Sequence, residues 1–386
     1  MELPQTLIDE VIAWRQTIHA NPELGFEEHD TAGMVATLLR SFGIEVVTGV
    51  GGTGVVGTLR HGIGPTIGIR ADMDALPVNE MGCCSHKSHK KGVMHACGHD
   101  GHTASLLGAA KYLSEHLNFQ GTVHFIFQPA EENLGGAIKM IDDGLFKKFP
   151  MDAIYAFHNW PGLPVGHLAV NPGAMMASLD SFEIQITGKS CHAAMPDRGK
   201  DPIVVASQLV LALQTITSRT ISPLSSVVVS ITQIQAGEAI NVIPETATVK
   251  GTMRCLNSAE RDQVKLLIEQ YATQLPDMFG LSSEIHFFPG YPVTMNSASE
   301  ALFAYETAKK VLPVESVHWA IEPSMASEDF ACMLQQCQGA YLWIGADGEK
   351  PSEPLHNAYY DFNDAIIPTA ISLWVQLVND FCVVRG

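Results

Sequence analysis

Nowhere in this chain does a run of lysine or arginine occur, and basic residues are few: 23 Lys and Arg against 41 Asp and Glu, a formal net charge of −18. A nucleic-acid binder needs a basic face to neutralise phosphates, so that class is excluded. An anionic small molecule is still admissible, because one buried arginine makes a local positive site. Long apolar runs are also missing. None approaches the roughly 18 residues needed to span a bilayer, so no membrane partner is expected. The opening MELPQTLIDEVIAWRQ is amphipathic and acidic, without the basic stretch and apolar core of a signal peptide. The eight cysteines are scattered with no close framework, which predicts reduced thiols in a cytoplasmic protein. Repeats and low-complexity stretches are absent. What the chain does have is 386 residues, 46% hydrophobic and only 17% charged, enough for a large core and two domains.

Up to about residue 178, helix and strand alternate. Residues 5–19 and 30–42 read as helices. GIEVVT and GVVGTLR read as a strand pair joined through glycines, and TIGIR as a strand. GHTASLLGAAKYLSEHL places apolar residues at spacings of three and four, a helix; GTVHFIFQ is a strand, GGAIKMIDDGLF a helix and AIYAFH a strand. This alternation predicts an α/β fold, a mostly parallel sheet covered by helices. The character changes near Ser178. SFEIQITG alternates with period two, DPIVVASQLVLALQTIT is helical, SSVVVSITQIQAG and TATVKGTMRCLN are strands, and SAERDQVKLLIEQYATQL is a helix with Ser258 as N-cap. Strand–helix–strand–strand–helix–strand suggests an inserted α+β, ferredoxin-like domain. Helix–strand alternation resumes after about residue 290 in FAYETAKKVL, EDFACMLQQ and YLWIGA. The expected division is therefore a catalytic domain of residues 1–178 and 290–386 with an insertion of residues 179–289.

Residues suited to metal binding fall at five places read as strand ends: Asp72 and Asp74, Cys97 and His99, Glu131 and Glu132, His158, and His356. Ligands collect outside the carboxyl ends of strands in open α/β sheets. Taken singly, each has an ordinary explanation as a core histidine or solvated acid. Together, a thiolate, imidazoles and carboxylates suggest a metal site, and the Glu pair suggests hydrolysis. Adjacent glutamates point differently, so one can bind metal while the other reaches an attacking water. His95 and His102 crowd the same loop and read as supporting groups. GVGGTG at 49–54 matches a dinucleotide fingerprint literally, but a strand follows it where the fingerprint needs a helix, so these are turn glycines. Cys83, Cys84, His86 and His89 could suggest a second zinc site; the surrounding lysines and the lack of a paired knuckle favour a solvated loop. In the insertion, His192, Asn241 and Arg254 are by default a loop histidine, a turn asparagine and a surface arginine. An amidohydrolase would use them as imidazole and amide donors and as a guanidinium for a substrate carboxylate.

With these residues in view, the chain resembles the M20 metallopeptidase family. Within it, the chain is similar to the amidohydrolase subgroup of hippurate hydrolases, N-acetyl-diaminopimelate deacetylases and auxin-conjugate hydrolases. HANPELGFEE, GIRADMDALP, VMHACGHDGHT, FQPAEE, GAMMAS, the His192 loop, INVIP, MASEDF and LHNAYYDFND occur in the family's order, nearly end to end. The resemblance implies metal-dependent hydrolysis of the amide bond of N-acyl amino acids. It implies two divalent ions per subunit, zinc, manganese, cobalt or nickel, held by Cys97, His99, Glu132, His158 and His356. Glu131 would be the general base and Asp74 a supporting acid; Asp72 stands where the wider family places a ligand histidine, with Cys97 supplying a thiolate instead. His192, Asn241 and Arg254 would face a small N-acyl amino acid from the insertion. That insertion would act as lid and dimerisation surface, so a homodimer is implied, in which His192 could serve the neighbouring subunit. The Ser190–Cys191–His192 stretch replaces a glycine-rich loop. An aminopeptidase or dipeptidase on the same two-metal site is the other enzymatic reading, and needs a carboxylate for the substrate's free amine. A binding protein without activity is disfavoured by the retention of Glu131.

Overall fold

The computed structural model describes residues 2–132 and 135–383. Asn133, which follows Glu132, and the last three residues of the expected catalytic segment lie outside that range. The chain divides into two units. The first comprises Met1–Met175, Thr294–Glu322 and Asp329–Gly386, and the second Met176–Val293 with Pro323–Glu328. The short second piece joins its unit through backbone bonds, Ala177 N–H donating to the carbonyls of Ser324 (3.0 Å) and Ala326 (2.8 Å). Sequence periodicity carries no trace of such a crossing.

In the first unit an eight-stranded sheet runs, edge to edge, Glu45–Val50, Gly54–His61, Gly121–Gln128, Thr66–Asp72, Ala153–Pro164, Gly339–Asp347, Leu168–Val170 and Val317–Trp319. The four strands from Gly121–Gln128 to Gly339–Asp347 are mutually parallel. Antiparallel pairings occur toward the two edges. The fold is thus α/β with a mostly parallel central sheet. TIGIRAD is almost wholly buried, as a parallel strand covered on both faces should be. Helices Gln5–Ala20, His99–Glu115 and Ile367–Phe381 pack on one another. They meet closely at Gly108, where a Cβ would lie 2.7 Å from both Val11 and Ile371. GGAIKMIDDGLF is not one helix: Gly144, at φ +87°, breaks it into Gly136–Asp142 and Leu145–Lys148. The GVGGTG segment is a turn between antiparallel strands, with Gly51 and Gly52 at φ +70° and +101°.

The second unit is a four-stranded antiparallel sheet in the order Val227–Ala236, Thr246–Cys255, Asp180–Thr187, Ser282–Pro289. With helices Pro202–Thr215 and Ser258–Met278 in its connections, this is the ferredoxin-like layout. Period-two alternation buries Phe182, Ile184 and Ile186 in a core separate from that of the first unit. The cap of the long helix differs from expectation by one residue. Asn257, not Ser258, has extended backbone, and its side chain accepts the N–H groups of Ala259 and Glu260.

Candidate metal centre

Thr66–Asp72, Gly121–Gln128 and Ala153–Pro164 are consecutive parallel strands of the central region, with Thr66–Asp72 between the other two. The chain therefore goes to one side of the middle strand and then crosses to the other, which opens a crevice at the carboxyl ends. Asp72 ends the middle strand, and Asp74 follows it. Beyond Gly121–Gln128 the backbone turns at Ala130, a non-glycine residue at φ +51°. Buried Glu28 holds this turn by accepting Ala130 N–H (2.8 Å), and itself receives the Thr53 hydroxyl (2.5 Å). The turn places Glu131 and Glu132 at the crevice. His158 sits within Ala153–Pro164.

Two of the expected strand ends have another setting. Cys97 lies in a loop and His99 is the first residue of His99–Glu115. His356 lies in a turn well past Gly339–Asp347, at φ +66°, with its N–H donated to Ala96 O (2.7 Å). Short polar motifs flanked by β-branched or aromatic residues do not reveal whether a strand or a loop carries them.

All the expected ligand residues converge. Cys97 Sγ is 3.2 Å from His158 Nε2, while His158 Nδ1–H donates to Asn159 O (2.7 Å) and so leaves Nε2 as a lone-pair donor. His99 Nδ1 is held by Asp74, through its carbonyl (2.9 Å) and carboxylate (3.2 Å), and Asp74 also accepts Glu132 N–H (3.1 Å). His99 Nε2 is 3.9 Å from Glu132 Oε1, which is 3.4 Å from His356 Nε2. Two donors of one tetrahedral ion, each roughly 2.0–2.3 Å from it, stand about 3.3–3.8 Å apart. One donor atom from each of Cys97, His99 and His158 falls within a 4.8 Å cluster, as do those of Cys97, Glu132 and His356, and of His99, Glu131 and Glu132.

Charges explain why this cluster wants a cation. Burial raises the Cys97 thiol well above its usual value, and Glu132, Glu131 and Asp72 raise it further. Burial disfavours a charged His99, but Asp72, Asp74 and Glu132 outweigh it and raise the ring to about 10. Burial, with His102 beside it, holds His158 neutral, far below the normal imidazole range. His99 Nε2 and Glu132 Oε1 are buried without a hydrogen-bond partner. Buried polar atoms are rarely left so, and here each faces another donor suited to a divalent ion. The residues fit such a metal.

Sequence comparison bears on the same residues. The family model for peptidase family M20/M25/M40 matches residues 68–380. The chain belongs to peptidase family M20/M25/M40. Membership fixes the enzyme class: the protein is a hydrolase of amide bonds. It is 44% identical over 366 residues to hippurate hydrolase of Campylobacter jejuni, covering 94% of each chain. It is 38% identical over 371 residues to N-acetyl-L-cysteine deacetylase of Bacillus subtilis, covering 96% of this chain and 88% of that one. Among solved structures, a Bacillus subtilis dinuclear metal binding peptidase from the M20 family superimposes with TM-score 0.86 at 34% identity, covering 98% and 99%.

In this M20 chain, Asp72, His95 and His102, already marked in the sequence, are joined by supporting groups that sequence reasoning missed: Arg70, Asn159, Asp329 and Tyr360. Asp72 is fully buried between Arg70 (2.6 Å) and His102 Nδ1 (2.6 Å). Burial would raise its pKa, but His99, Arg70 and His102 hold it far below the carboxylate range. Arg70 reaches on to Gln128 (2.8 Å) and Asp329 (3.2 Å), and Asp329 N–H donates to Glu131 (3.4 Å). His102 Nε2 meets Asn159 Oδ1 (2.6 Å), and Asn159 Nδ2 donates to Tyr360 (2.6 Å). Asn159 adjoins His158, and Asp329 lies in MASEDF, so sequence signals existed for both. His95 is buried with neither ring nitrogen hydrogen-bonded, and burial lowers it to about 4.

The second unit brings His192 and Asn241 together. His192 pairs with Val242 in a two-stranded ladder, and Ala193 N–H donates to Asn241 O (3.0 Å). Both side chains are exposed. Arg254 lies on Thr246–Cys255, half-buried, and donates to Met325 O (2.9 Å).

Proposed function

We propose that this protein hydrolyses the amide bond of N-acyl amino acids at a centre of two divalent ions. Support comes from the relatives, a hippurate hydrolase and an N-acetyl-L-cysteine deacetylase, and from the dinuclear peptidase of the same family. The observation that carries the reading is the cluster of Cys97, His99, Glu132, His158 and His356, with His99 Nε2 and Glu132 Oε1 left without partners. When bound, the ions acidify water and polarise the acyl carbonyl. Zinc, manganese, cobalt and nickel all suit this donor set.

Glu131 takes a proton from the attacking water and delivers it to the departing nitrogen. Asp74 orients His99 through its Nδ1 and steadies the Glu132 backbone, so the two donors keep their aim. His192 and Asn241 supply donors to the acyl oxygen, and Arg254 pairs with the amino acid's carboxylate.

A homodimer is part of the proposal. Its support is the Val227–Ala236 edge strand of the ferredoxin-like sheet, with Val228 and Ile234 exposed, and exposed Val204 and Leu211 on Pro202–Thr215. Among the described residues no helix is long and apolar enough to cross a membrane. Free thiols at Cys83, Cys84 and Cys191 support placing the protein in the cytoplasm.

The test is a panel of hippurate, N-acetyl amino acids and a free-amine dipeptide against metal-loaded protein. Turnover of acylated substrates well above the dipeptide is expected. Preference for the dipeptide would replace this reading with an aminopeptidase.

A further inference from the structure

Cys84 and His86 lie in the expected loop, where Cys83 and His89 are exposed beside them. Cys84 and His86 are partly buried, and the fold sets them against His19 from the first helix and Asp361 from the C-terminal part. One ligand atom from each of His19, Cys84, His86 and Asp361 lies within 4.8 Å of the others. A thiol, two imidazoles and a carboxylate are all zinc donors, four in number as a tetrahedral zinc ion takes.

A second observation points to a ligand. His19 is fully buried, and its Nδ1 is already engaged with Asp100 Oδ2 (2.9 Å). Its other nitrogen, Nε2, makes no hydrogen bond. That atom is turned toward the cluster: it is 3.5 Å from Glu80 Oε1, and the His19 ring stands edge-on to His86 at 5.1 Å. Glu80 in turn is 3.4 Å from Cys84 Sγ. His86 Nδ1 is a further buried nitrogen without a partner.

The surrounding charge favours a cation despite one opposing group. Arg15 lies 3.0 Å from His86 Nε2. Its guanidinium is engaged by Asp364 (2.6 Å), Asp361 (2.9 Å) and Asp100 (3.2 Å). With Glu80, four carboxylates face Arg15 and His19, and His19 is paired with two of them, Asp100 and Glu80. His86 Nε2 is also 3.0 and 3.1 Å from the two Asp361 oxygens. That single nitrogen cannot both accept from Arg15 and donate to Asp361, and the same Arg15 nitrogen has Asp364 as another acceptor (3.3 Å).

We propose that His19, Cys84, His86 and Asp361 form a further metal site for one zinc-class divalent ion, sharing no donor with the hydrolytic centre. Such an ion would tie together the first helix, the segment around residues 80–92 and the C-terminal segment at Asp361. The proposal does not depend on the substrate or reaction assigned above.

The test counts zinc by elemental analysis after chelator stripping and reloading, in the full chain. The wild type should hold one zinc per chain more than the Cys84→Ser/His86→Gln variant, whose affinity at this site should fall by about 100-fold or more. In the His356→Ala background the same difference should persist, which separates this ion from those of the hydrolytic centre. Equal zinc content and equal affinity in wild type and variant would overturn the site. A second readout is independent of the double variant's folding. Zinc should slow alkylation of Cys84, followed by peptide mass, in the wild type but not in His86→Gln. Alkylation of wild-type Cys84 at one rate with and without zinc would also overturn it.

Discussion

Glu131 and Glu132 are neighbours in sequence with different surroundings. Glu132 Oε1 stands between two imidazoles, at 3.9 Å from His99 and 3.4 Å from His356. Glu131 instead receives the Asp329 backbone. On the proposed reading, Glu132 holds metal and Glu131 transfers the proton. Glu131→Gln should therefore keep its metal by elemental analysis and lose about 10²–10⁴ in turnover. Near-full turnover in that variant would remove Glu131 from the reaction. Arg254→Ala should raise KM for N-acyl amino acids more than for the matching N-acyl amides, since the amide lacks the carboxylate the guanidinium would pair with. Equal losses on both would make Arg254 a structural residue that holds the Met325 carbonyl. The candidate ligand residues were legible because thiol, imidazole and carboxylate stand out in short motifs. Arg70, Asn159 and Tyr360 were not, because their use depends on contacts between distant segments, such as Asn159 to Tyr360.

At the scale of elements, the start of His99–Glu115 is the most constrained point of the site. Gly98 precedes it at φ +98°, and a Cβ there would lie 2.2 Å from Asn159 Oδ1. Both conformation and space demand glycine. Gly98→Ala should destabilise the fold by about 1–3 kcal/mol and weaken metal binding, because His99 and Asn159 must shift. Chemical denaturation and metal titration check this; unchanged stability and affinity would show that the loop is more tolerant than its geometry implies. Elements with a clear period were readable. GTVHFIFQ coincides with the strand Gly121–Gln128, and SFEIQIT buries every second side chain. Ends and breaks were less so. Gly144 splits one expected helix and Asn257 displaces Ser258 as cap, since backbone dihedrals decide both. The helix Ile367–Phe381 was overlooked behind the adjacent DFND motif, though its apolar face is marked.

Across the whole molecule, stability and activity should depend on pH through different groups. His124 is buried on Gly121–Gln128, away from the metal centre, with Thr58 as its partner (3.0 Å). Burial lowers it from 6.5 to about 4, so the folded state favours the neutral ring. Its contribution is fully present above pH 6.5 and is lost as the pH falls toward about 4, at about 1.4 kcal/mol per pH unit within that window. His124→Gln should flatten the urea-denaturation stability profile there, and an unchanged slope would reject the assignment. The two units were legible as a change from helix–strand alternation to period-two strands; the return of Pro323–Glu328 to the second unit was not, because it rests on three-dimensional pairing alone. Metal-dependent amide hydrolysis is proposed for one crevice of the α/β unit. Its most direct test is hippurate turnover by protein stripped to a metal-free state, verified by elemental analysis, before and after divalent ions are restored. No turnover is expected before, and recovery after. Full turnover by the metal-free protein would contradict the proposal.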